Sequence, residues 1–180
     1  MAVEYASVGA GLYDGKIRTS DGEEYDIHAI VSAVGEPAQD EVEVKGDDEL
    51  KATFISNIRE ELTISANGIS FDTIQAITGN SYSSSATGIE IALGTESQTN
   101  PPDVEVQAFT KAKDSANTAV TIKKTWHKVG IKTVKVSQEG ESEFTLEMTG
   151  IAYQTDEDIT GTGLASKRVA TLQVLYYINR

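Results

Sequence analysis

Apolar and polar residues alternate with a period of two along most of the chain. In residues 143–149, for example, Phe, Leu and Met alternate with Glu and Thr. Such alternation indicates strands with one buried and one solvent-exposed face. The same pattern recurs in residues 25–31, 42–45, 62–66, 89–93, 104–108, 120–122, 134–137 and, less regularly, 168–178. Eight to ten strands in one domain predict an all-β sandwich or barrel.

One segment has the pattern of a helix rather than a strand. Phe71, Ile74 and Ile77 form an apolar stripe with helical spacing, Ser70 is a suitable N-cap, and Gly79 stands at the C-cap position. A helix of two turns is not stable alone in water. The sequence therefore predicts one short α-helix, at about residues 70–79, that packs on the β-sandwich with its apolar stripe inward.

The chain is long enough for a single domain of 180 residues, and its 39% hydrophobic content provides for a core. Residues 6–23 carry four glycines among small and polar residues. We therefore expect residues 1–23 to form a flexible N-terminal arm and residues 24–180 to form the β-sandwich core. No apolar run approaches the 18 residues of a membrane span, so we expect no membrane partner.

The net charge of −13 is unevenly distributed. Residues 1–62 hold 15 acidic and 5 basic side chains, a net charge of −10, whereas residues 63–180 have a net charge of −3. Residues 36–49 contain seven acids and one lysine, and residues 105–135 contain seven lysines and two acids. Two interpretations stay open: solvated faces that keep a monomer soluble, or complementary patches that join copies of the chain.

The sequence offers little for catalysis or metal binding. It has no cysteine and no nucleophile or nucleotide-binding motif, and we expect its two histidines, His28 and His127, to be half-exposed strand residues. The acids at 47–49 and 156–158 lack the spacing of a calcium loop, and a lone Trp126 is a weak platform for a sugar or a base. We expect no enzyme activity, no cofactor and no metal.

The order of these elements resembles one family. The strand at residues 42–44 is followed by the polar turn 46–49, a second strand at residues 50–56, and a strand at residues 61–66 that leads directly into the helix. Strands like residues 89–93, 104–113, 119–129, 131–136 and 143–150 follow. Over residues 25–153 this order is similar to that of the major tail protein, or tail tube protein, of long non-contractile-tailed bacteriophages (siphoviruses).

The resemblance implies a structural virion protein that functions by self-assembly. Proteins of this family are β-sandwiches with a flanking helix that form six-membered rings, and the rings stack into the hollow tail tube. The implied partners are other copies of the chain, the tape measure protein, the tail-tip and tail-terminator proteins, and double-stranded DNA, which passes through the lumen during ejection without specific binding. The implied location is the virion tail, assembled in the cytoplasm of the bacterial host.

Charge complementarity then predicts which residues join the subunits. An acidic set would face a basic set on the next copy. The candidates are Glu36, Asp40, Glu41, Glu43, Asp47, Asp48 and Glu49 in the acidic set, and Lys111, Lys113, Lys123, Lys124, Lys128 and Lys132 in the basic set.

An alternative function from a different class stays open. The chain could be a monomeric Ig-like or carbohydrate-binding β-sandwich, with a ligand site near Trp126 or the loop at residues 94–103.

Overall fold

The computed structural model describes residues 12–27, 29–46, 49–68, 70–80, 82–91, 101–113, 118–137 and 144–176. These residues form twelve strands and one short helix, which confirms the predicted all-β fold with a flanking helix. None of the helical structure in these ranges is long and apolar enough to cross a membrane. The elements are β1 (Leu12–Arg18), β2 (Glu24–Ile27), β3 (Ile30–Gly46), β4 (Glu49–Asn67), α1 (Phe71–Thr78), β5 (Tyr82–Ser85), β6 (Gly88–Ile91), β7 (Asp103–Lys113), β8 (Ala119–Ser137), β9 (Thr145–Tyr153), β10 (Thr155–Glu157), β11 (Gly163–Arg168) and β12 (Ala170–Tyr176).

Eight strands form one antiparallel sheet in the order β2-β1-β7-β8-β9-β4-β3, with β12 also paired to β8. The 19-residue strand β8 belongs to two layers of this sheet. Its first part pairs with β7 on one edge and with β12 on the other, through residues 120–126. From Val129 onward β9 replaces β12 as its partner. The first layer is thus β2-β1-β7-β8-β12, and the second is β8-β9-β4-β3.

The two layers pack face to face around one hydrophobic core. Ile17, Val106 and Trp126 of the first layer belong to the same buried cluster as Leu62 and Met148 of the second. Val106, Leu62 and Met148 come from apolar positions of the alternating segments, so the period-two pattern correctly predicts their burial, whereas Ile17 and Trp126 lie outside those segments. The sheet therefore folds over on itself as a sandwich.

A partly buried carboxylate links the two layers at one side of this core. Glu60 Oε2 accepts hydrogen bonds from Trp126 Nε1 at 2.6 Å and from Lys124 Nζ at 2.9 Å. Lys124 Nζ also lies 4.5 Å from the centre of the Trp126 ring. Because the indole N–H and the carboxylate satisfy each other, Trp126 can be fully buried without an unpaired polar group. This burial removes Trp126 as a surface platform for sugars or bases.

The helix α1 has the predicted caps and lies on the sandwich. Ser70 Oγ accepts a hydrogen bond from Thr73 N at 3.1 Å, and Gly79 adopts φ = 73°, a left-handed conformation that glycine reaches without steric cost. Ile74 and Ile77 are buried against the core as predicted, but Phe71 stays 37% exposed at the start of the helix.

The prediction of a flexible arm at residues 1–23 is wrong for residues 12–18. This segment is β1, paired with β2 on one edge and β7 on the other, and its Ile17 is fully buried. A Cβ at Gly15 would overlap the side chain of Ile30, so this glycine permits close packing between strands. Gly15 thus indicates tight contact, not flexibility. Residues 1–11 lie outside the described residues.

A second close approach leads to a stability prediction. A Cβ at Gly150 in β9 would lie 2.9 Å from the carbonyl oxygen of Gly130 and 3.0 Å from Val129 Cγ1, and the backbone cannot easily move away. We expect Gly150→Ala to lower the free energy of unfolding in urea by about 1–3 kcal/mol. Gly163→Ala is the matched control, since nothing lies within 4 Å of its Cβ position. Equal unfolding midpoints for both variants would contradict the close packing of β9 on β8.

Candidate assembly surfaces

The outer face of the second layer is polar and open. Cross-strand partners share a face, so the register places Val34, Thr63, Thr149 and Thr133 in one row across β3, β4, β9 and β8. The hydroxyls of Thr133 and Thr149 lie 2.6 Å apart. The neighbouring rows carry Glu36, Glu61 and Ile151, and Ser32, Ser65, Glu147 and Lys135.

This open face is weakly acidic and has few long apolar side chains. Glu36, Glu61 and Glu147 lie on it with two basic residues, Lys135 and Arg59, and most of the other positions are Ser or Thr. In the part of the chain that the structure describes, no segment packs over this face. The first layer differs, because β10 and β11 pack over its outer face. The open face therefore offers a smooth polar surface with excess negative charge.

Both edges of the second layer are unpaired among the described residues. β3 pairs only with β4, at one edge. At the opposite edge, β8 loses its partner β7 after Gly130, and residues 131–137 pair only with β9. Unpaired strand edges are sites where another chain can add a strand. Four antiparallel strands with two free edges can therefore be extended on both sides.

The β3–β4 hairpin extends well beyond the sheet as a two-stranded arm. Pairing of β4 with β9 ends at Arg59, while β3 and β4 stay paired with each other out to Gly46 and Glu49. Glu41 and Glu43 are exposed on this arm. Glu49 begins β4, and Asp47 and Asp48 of the acidic set lie outside the described residues. At least two of the predicted acids thus lie on a projecting element.

Asp40 has a structural role at the base of the arm. Its carboxylate accepts hydrogen bonds from Asn57 Nδ2 at 2.8 Å and from Arg59 Nη1 at 3.0 Å. Asn57 has a left-handed backbone with φ = 51°, and the pairing register shifts between Ala38 and Asp40. The hydrogen bonds from Asn57 and Arg59 hold the pKa of Asp40 below its usual value. We name this contact the Asp40 clamp; it fixes the strands where the arm leaves the sheet.

The predicted basic residues do not form one surface patch. Lys123 and Lys124 point to opposite faces of β8, since successive side chains of a strand alternate. Lys124 is held by Glu60 inside the same chain, and Lys128 Nζ lies 3.5 Å from Asp103 Oδ2. Lys123 Nζ lies 5.9 Å from the ring centre of Phe109.

The other three candidates of the basic set, Lys111, Lys113 and Lys132, are exposed. Their role in subunit contacts stays a prediction, and reversal of Lys124 would also break the contact between the layers.

A polar cavity of about 370 Å³ lies between the first layer and the β10–β11 hairpin. His127 is 8% exposed there, so the expectation of a half-exposed histidine is wrong; His28 lies outside the described residues. His127 Nε2 is 2.6 Å from Thr171 Oγ1, and its Nδ1 is 3.6 Å from Glu105 Oε2. The alternating pattern places His127 on the solvent-exposed face of its strand, but it does not predict the hairpin that covers this residue.

Acidic and basic groups balance around this cavity. Arg18, Lys123 and Arg168 line it together with Glu24, Glu105 and Asp158. No cluster of three or more His, Asp or Glu suited to a metal ion occurs in the described ranges. The described residues of the cavity therefore offer neither a strong net charge nor a ligand set for a metal ion.

Asp158, one of the acids at 156–158, caps its own loop. Its Oδ1 accepts hydrogen bonds from Thr160 N and Thr162 N, both at 2.9 Å, and from Thr160 Oγ1 at 2.8 Å. Partial burial works to raise its pKa, but these hydrogen bonds outweigh it and lower the pKa below the usual value. This is the turn role that Asp commonly has, in which it bonds the backbone two residues on.

No protein-family model matches the chain, and no curated protein matches it. The open face, the two free edges and the arm are the features of the molecule that bear on its function.

The Asp40 clamp predicts a titration. Because the clamp stabilises the charged carboxylate, it is fully present above the ordinary aspartate pKa of 3.8 and is lost as the pH falls through the lower pKa of the folded protein. We expect NMR of the Asp40 carboxyl carbon to give a midpoint below 3.8. Asn57→Ala should raise that midpoint. A midpoint at or above the ordinary value in the unmodified chain would show that the clamp does not form.

Proposed function

We propose that this chain is a structural virion protein, the tail tube protein of a siphovirus, and that it assembles into rings that stack into a hollow tube. One observation carries the proposal: a four-stranded antiparallel layer has a polar open face and an unpaired edge on each side. This combination is a liability for a monomer, because it leaves backbone donors and acceptors ready to pair with other chains.

The strand directions are compatible with ring closure. In β8-β9-β4-β3 each strand is antiparallel to its neighbour, so β3 and β8 run in opposite directions. A copy rotated about a ring axis then presents its β8 antiparallel to β3 of the first copy. Repeating this contact gives a closed barrel with no strand edges left.

The size of such a barrel suits a DNA conduit. Six copies would contribute about 24 strands, and a spacing of roughly 4.8 Å with a tilt of roughly 40° gives a circumference on the order of 150 Å and a backbone diameter of ~48 Å. Side chains on the inner face narrow the backbone diameter by about 10 Å, because two stacked sheets, with the side chains between them, lie about 10 Å apart. The remaining bore admits a DNA duplex.

The open face would line that bore. Its surplus of carboxylates repels a phosphate backbone that carries one negative charge per about 1.7 Å of duplex. The repulsion is screened over about 8–10 Å at physiological salt, so it acts mainly near the wall. Ser and Thr make up most of the remaining surface, and Lys135, the one lysine of the three rows, has Glu147 as its cross-strand partner. Double-stranded DNA could thus pass without specific binding.

The acidic arm would reach neighbouring copies beyond the ring plane. Further partners follow from the proposed role: a tape measure protein inside the growing tube, and tail-tip and tail-terminator proteins at its ends. The tube would belong to the virion tail and assemble in the host bacterial cytoplasm. The alternative of a monomeric carbohydrate-binding module loses its best residue, since Trp126 is buried, and residues 92–100 of its second candidate site lie outside the described residues.

Electron microscopy of the purified full chain tests the proposal directly. We expect rings and stacked tubes at high protein concentration, with a bore of about 40 Å from the strand arithmetic above. Formation should be followed by sedimentation at several salt concentrations. A strict monomer at every salt concentration, including in the presence of a tape measure protein, would refute the assignment.

A charge reversal tests which face lines the bore. Glu61→Lys places a new cation on the open face, so we expect assembled tubes of this variant to retain short DNA duplexes in a co-sedimentation assay, with retention that falls steeply as salt rises. Glu90→Lys makes the same charge change on the exposed β6 hairpin and serves as the control. Equal DNA retention by the two variants would mean that Glu61 does not face the bore.

A further inference from the structure

The last strand of the first layer, β12, has a free edge without the usual protection against pairing. β12 pairs with β8 on one side, and none of the described residues pairs with its other side. Its seven residues, ATLQVLY, include no charge, no proline and no glycine, and its register with β8 runs from Ala170 to Tyr176 without a shift. Natural edge strands are usually protected by charges, prolines or bulges, because a regular, uncharged edge accepts another strand. The free edge of β12 is therefore a site where a strand can add.

The other free edges among the described residues carry charge. At the opposite end of the first layer, β2 is only four residues long and includes Glu24 and Asp26. In the second layer, β3 carries acids such as Glu41 and Glu43, and the free part of β8 carries lysines such as Lys132. Two copies of β2 or of β3 side by side would bring like charges together, which destabilises a strand pair. The absence of charge thus makes β12 the edge that is suited to pair with itself.

The hydrogen bonds to β8 determine which backbone groups of β12 point to the free edge. One residue beyond the paired register of the two strands, His127 N donates a hydrogen bond to Val169 O at 3.3 Å. Hydrogen-bonded and non-hydrogen-bonded residue pairs alternate along an antiparallel ladder, so residues 171, 173 and 175 bond β8. The residues that direct their N–H and C=O groups outward are Ala170, Leu172, Val174 and Tyr176. A second strand can therefore bond β12 without disturbing its contact with β8.

The same strand presents exposed apolar side chains. Leu172 is 66% exposed and Leu175 is 42% exposed, on opposite faces of β12. Leu172 lies on the same face as its cross-strand partner Lys124, with the half-buried Val174 two residues along. Burial of these side chains against another chain would remove apolar surface from water. The edge therefore offers hydrophobic contact in addition to backbone hydrogen bonds.

We propose that two copies of this chain pair through their β12 edges as a two-fold dimer, in an antiparallel register centred on Gln173. This register uses the whole strand, and it places Leu172 of each copy opposite Val174 of the other. All outward N–H and C=O groups of β12 then have partners, because outward residues meet outward residues. The first layers of the two copies join into one continuous sheet. The contact uses the same edge of both copies, so it is complete after two copies.

This dimer is distinct from the contacts of the proposed tube. A ring joins two different edges of each copy, here β3 and the free part of β8, whereas the β12 contact joins two identical edges. The edges of β3 and β8 stay unpaired in the dimer. The dimer is therefore a form of the free chain, and the inference does not rest on the tube proposal.

A single cysteine tests both the contact and its register. The full chain has no cysteine, so Gln173→Cys supplies its only thiol. In the proposed register the two copies of residue 173 form a non-hydrogen-bonded pair with Cα atoms about 4.5 Å apart, a distance that a disulfide can span. Leu175→Cys is the matched control on the same face of the same strand. It lies two residues from the two-fold axis, so its Cα atoms would be more than about 13 Å apart and could not be bridged.

Mild oxidation followed by a non-reducing gel gives the result. We expect Gln173→Cys to form disulfide-linked dimers, and Leu175→Cys to form at least tenfold fewer. Cross-linking of Leu175→Cys that equals or exceeds that of Gln173→Cys, or no cross-linking of Gln173→Cys, would overturn the inference. The cross-link reports on β12 in any state of assembly, so a failure to form rings or tubes would count against the tube proposal alone.

Sedimentation equilibrium tests the dimer without a cross-link. We expect the mass of the unmodified chain to rise from 19.3 kDa toward twice that value with increasing concentration. Leu172→Lys would bring two like charges within roughly 7–8 Å, so we expect at least tenfold weaker dimerisation. Val174→Pro should have the same effect, because it removes an outward N–H and leaves the bonds to β8 in place. Ile55→Lys is the matched control, since it adds the same charge at a 56% exposed position on the arm.

The two variants on β12 act by different means, so Val174→Pro decides the question if Leu172→Lys does not fold. A monomer at every concentration of the unmodified chain would overturn the inference and show that the edge of β12 is covered or inert. Equal dimerisation of all three variants would also overturn it, because the dimer would then form through another surface.

Discussion

The fold depends on one strand that has to serve two layers. β8 continues for 19 residues, and the switch from β12 to β9 as its partner falls beside Trp126 and Val129, both buried. Register shifts on either side of this point, at residues 104–106 of β7 and 131–133 of β8, bend the ladder there. The contact of Glu60 with Trp126 then ties the second layer to the bend.

This construction makes the two outer faces of the sandwich different. On the first layer, Glu105, Gln107 and His127 face outward but are buried. The later part of the chain, which includes the β10–β11 hairpin, covers them. The second layer has no such cover among the described residues, and most of its outward positions are Ser, Thr and Glu. Its polar side chains are suited to contact with solvent. The sequence of the second layer is therefore consistent with an outer face that no other segment covers.

The periodicity of apolar residues predicts local structure, but it does not predict which distant segments pack over that structure. The helix caps Ser70 and Gly79 are visible in the sequence because capping is a contact between near neighbours. The burial of His127 is not visible, because the hairpin that covers it comes about 30 residues later in the chain. Gly15 was misleading for a related reason: a glycine that allows Ile30 to pack closely has the same sequence signature as a glycine that allows flexibility. Distant partners determine both outcomes.

The distribution of charge along the chain differs from the distribution of charge on the folded surface. Lys124 pairs with Glu60, and Lys128 lies beside Asp103. Acids elsewhere in the chain therefore neutralise part of the positive charge of residues 105–135. The exposed pair of Lys128 and Asp103 adds little stability, but both pairs hold cations that a phosphate backbone could otherwise reach. On the open face Lys135 is the cross-strand partner of Glu147, and Glu36 and Glu61 stay in excess. In the proposed tube, the passage of DNA would depend on this arrangement more than on the net charge, because Lys124 and Lys128 are held by partners in the same chain and the acids of the open face would face the moving polyanion.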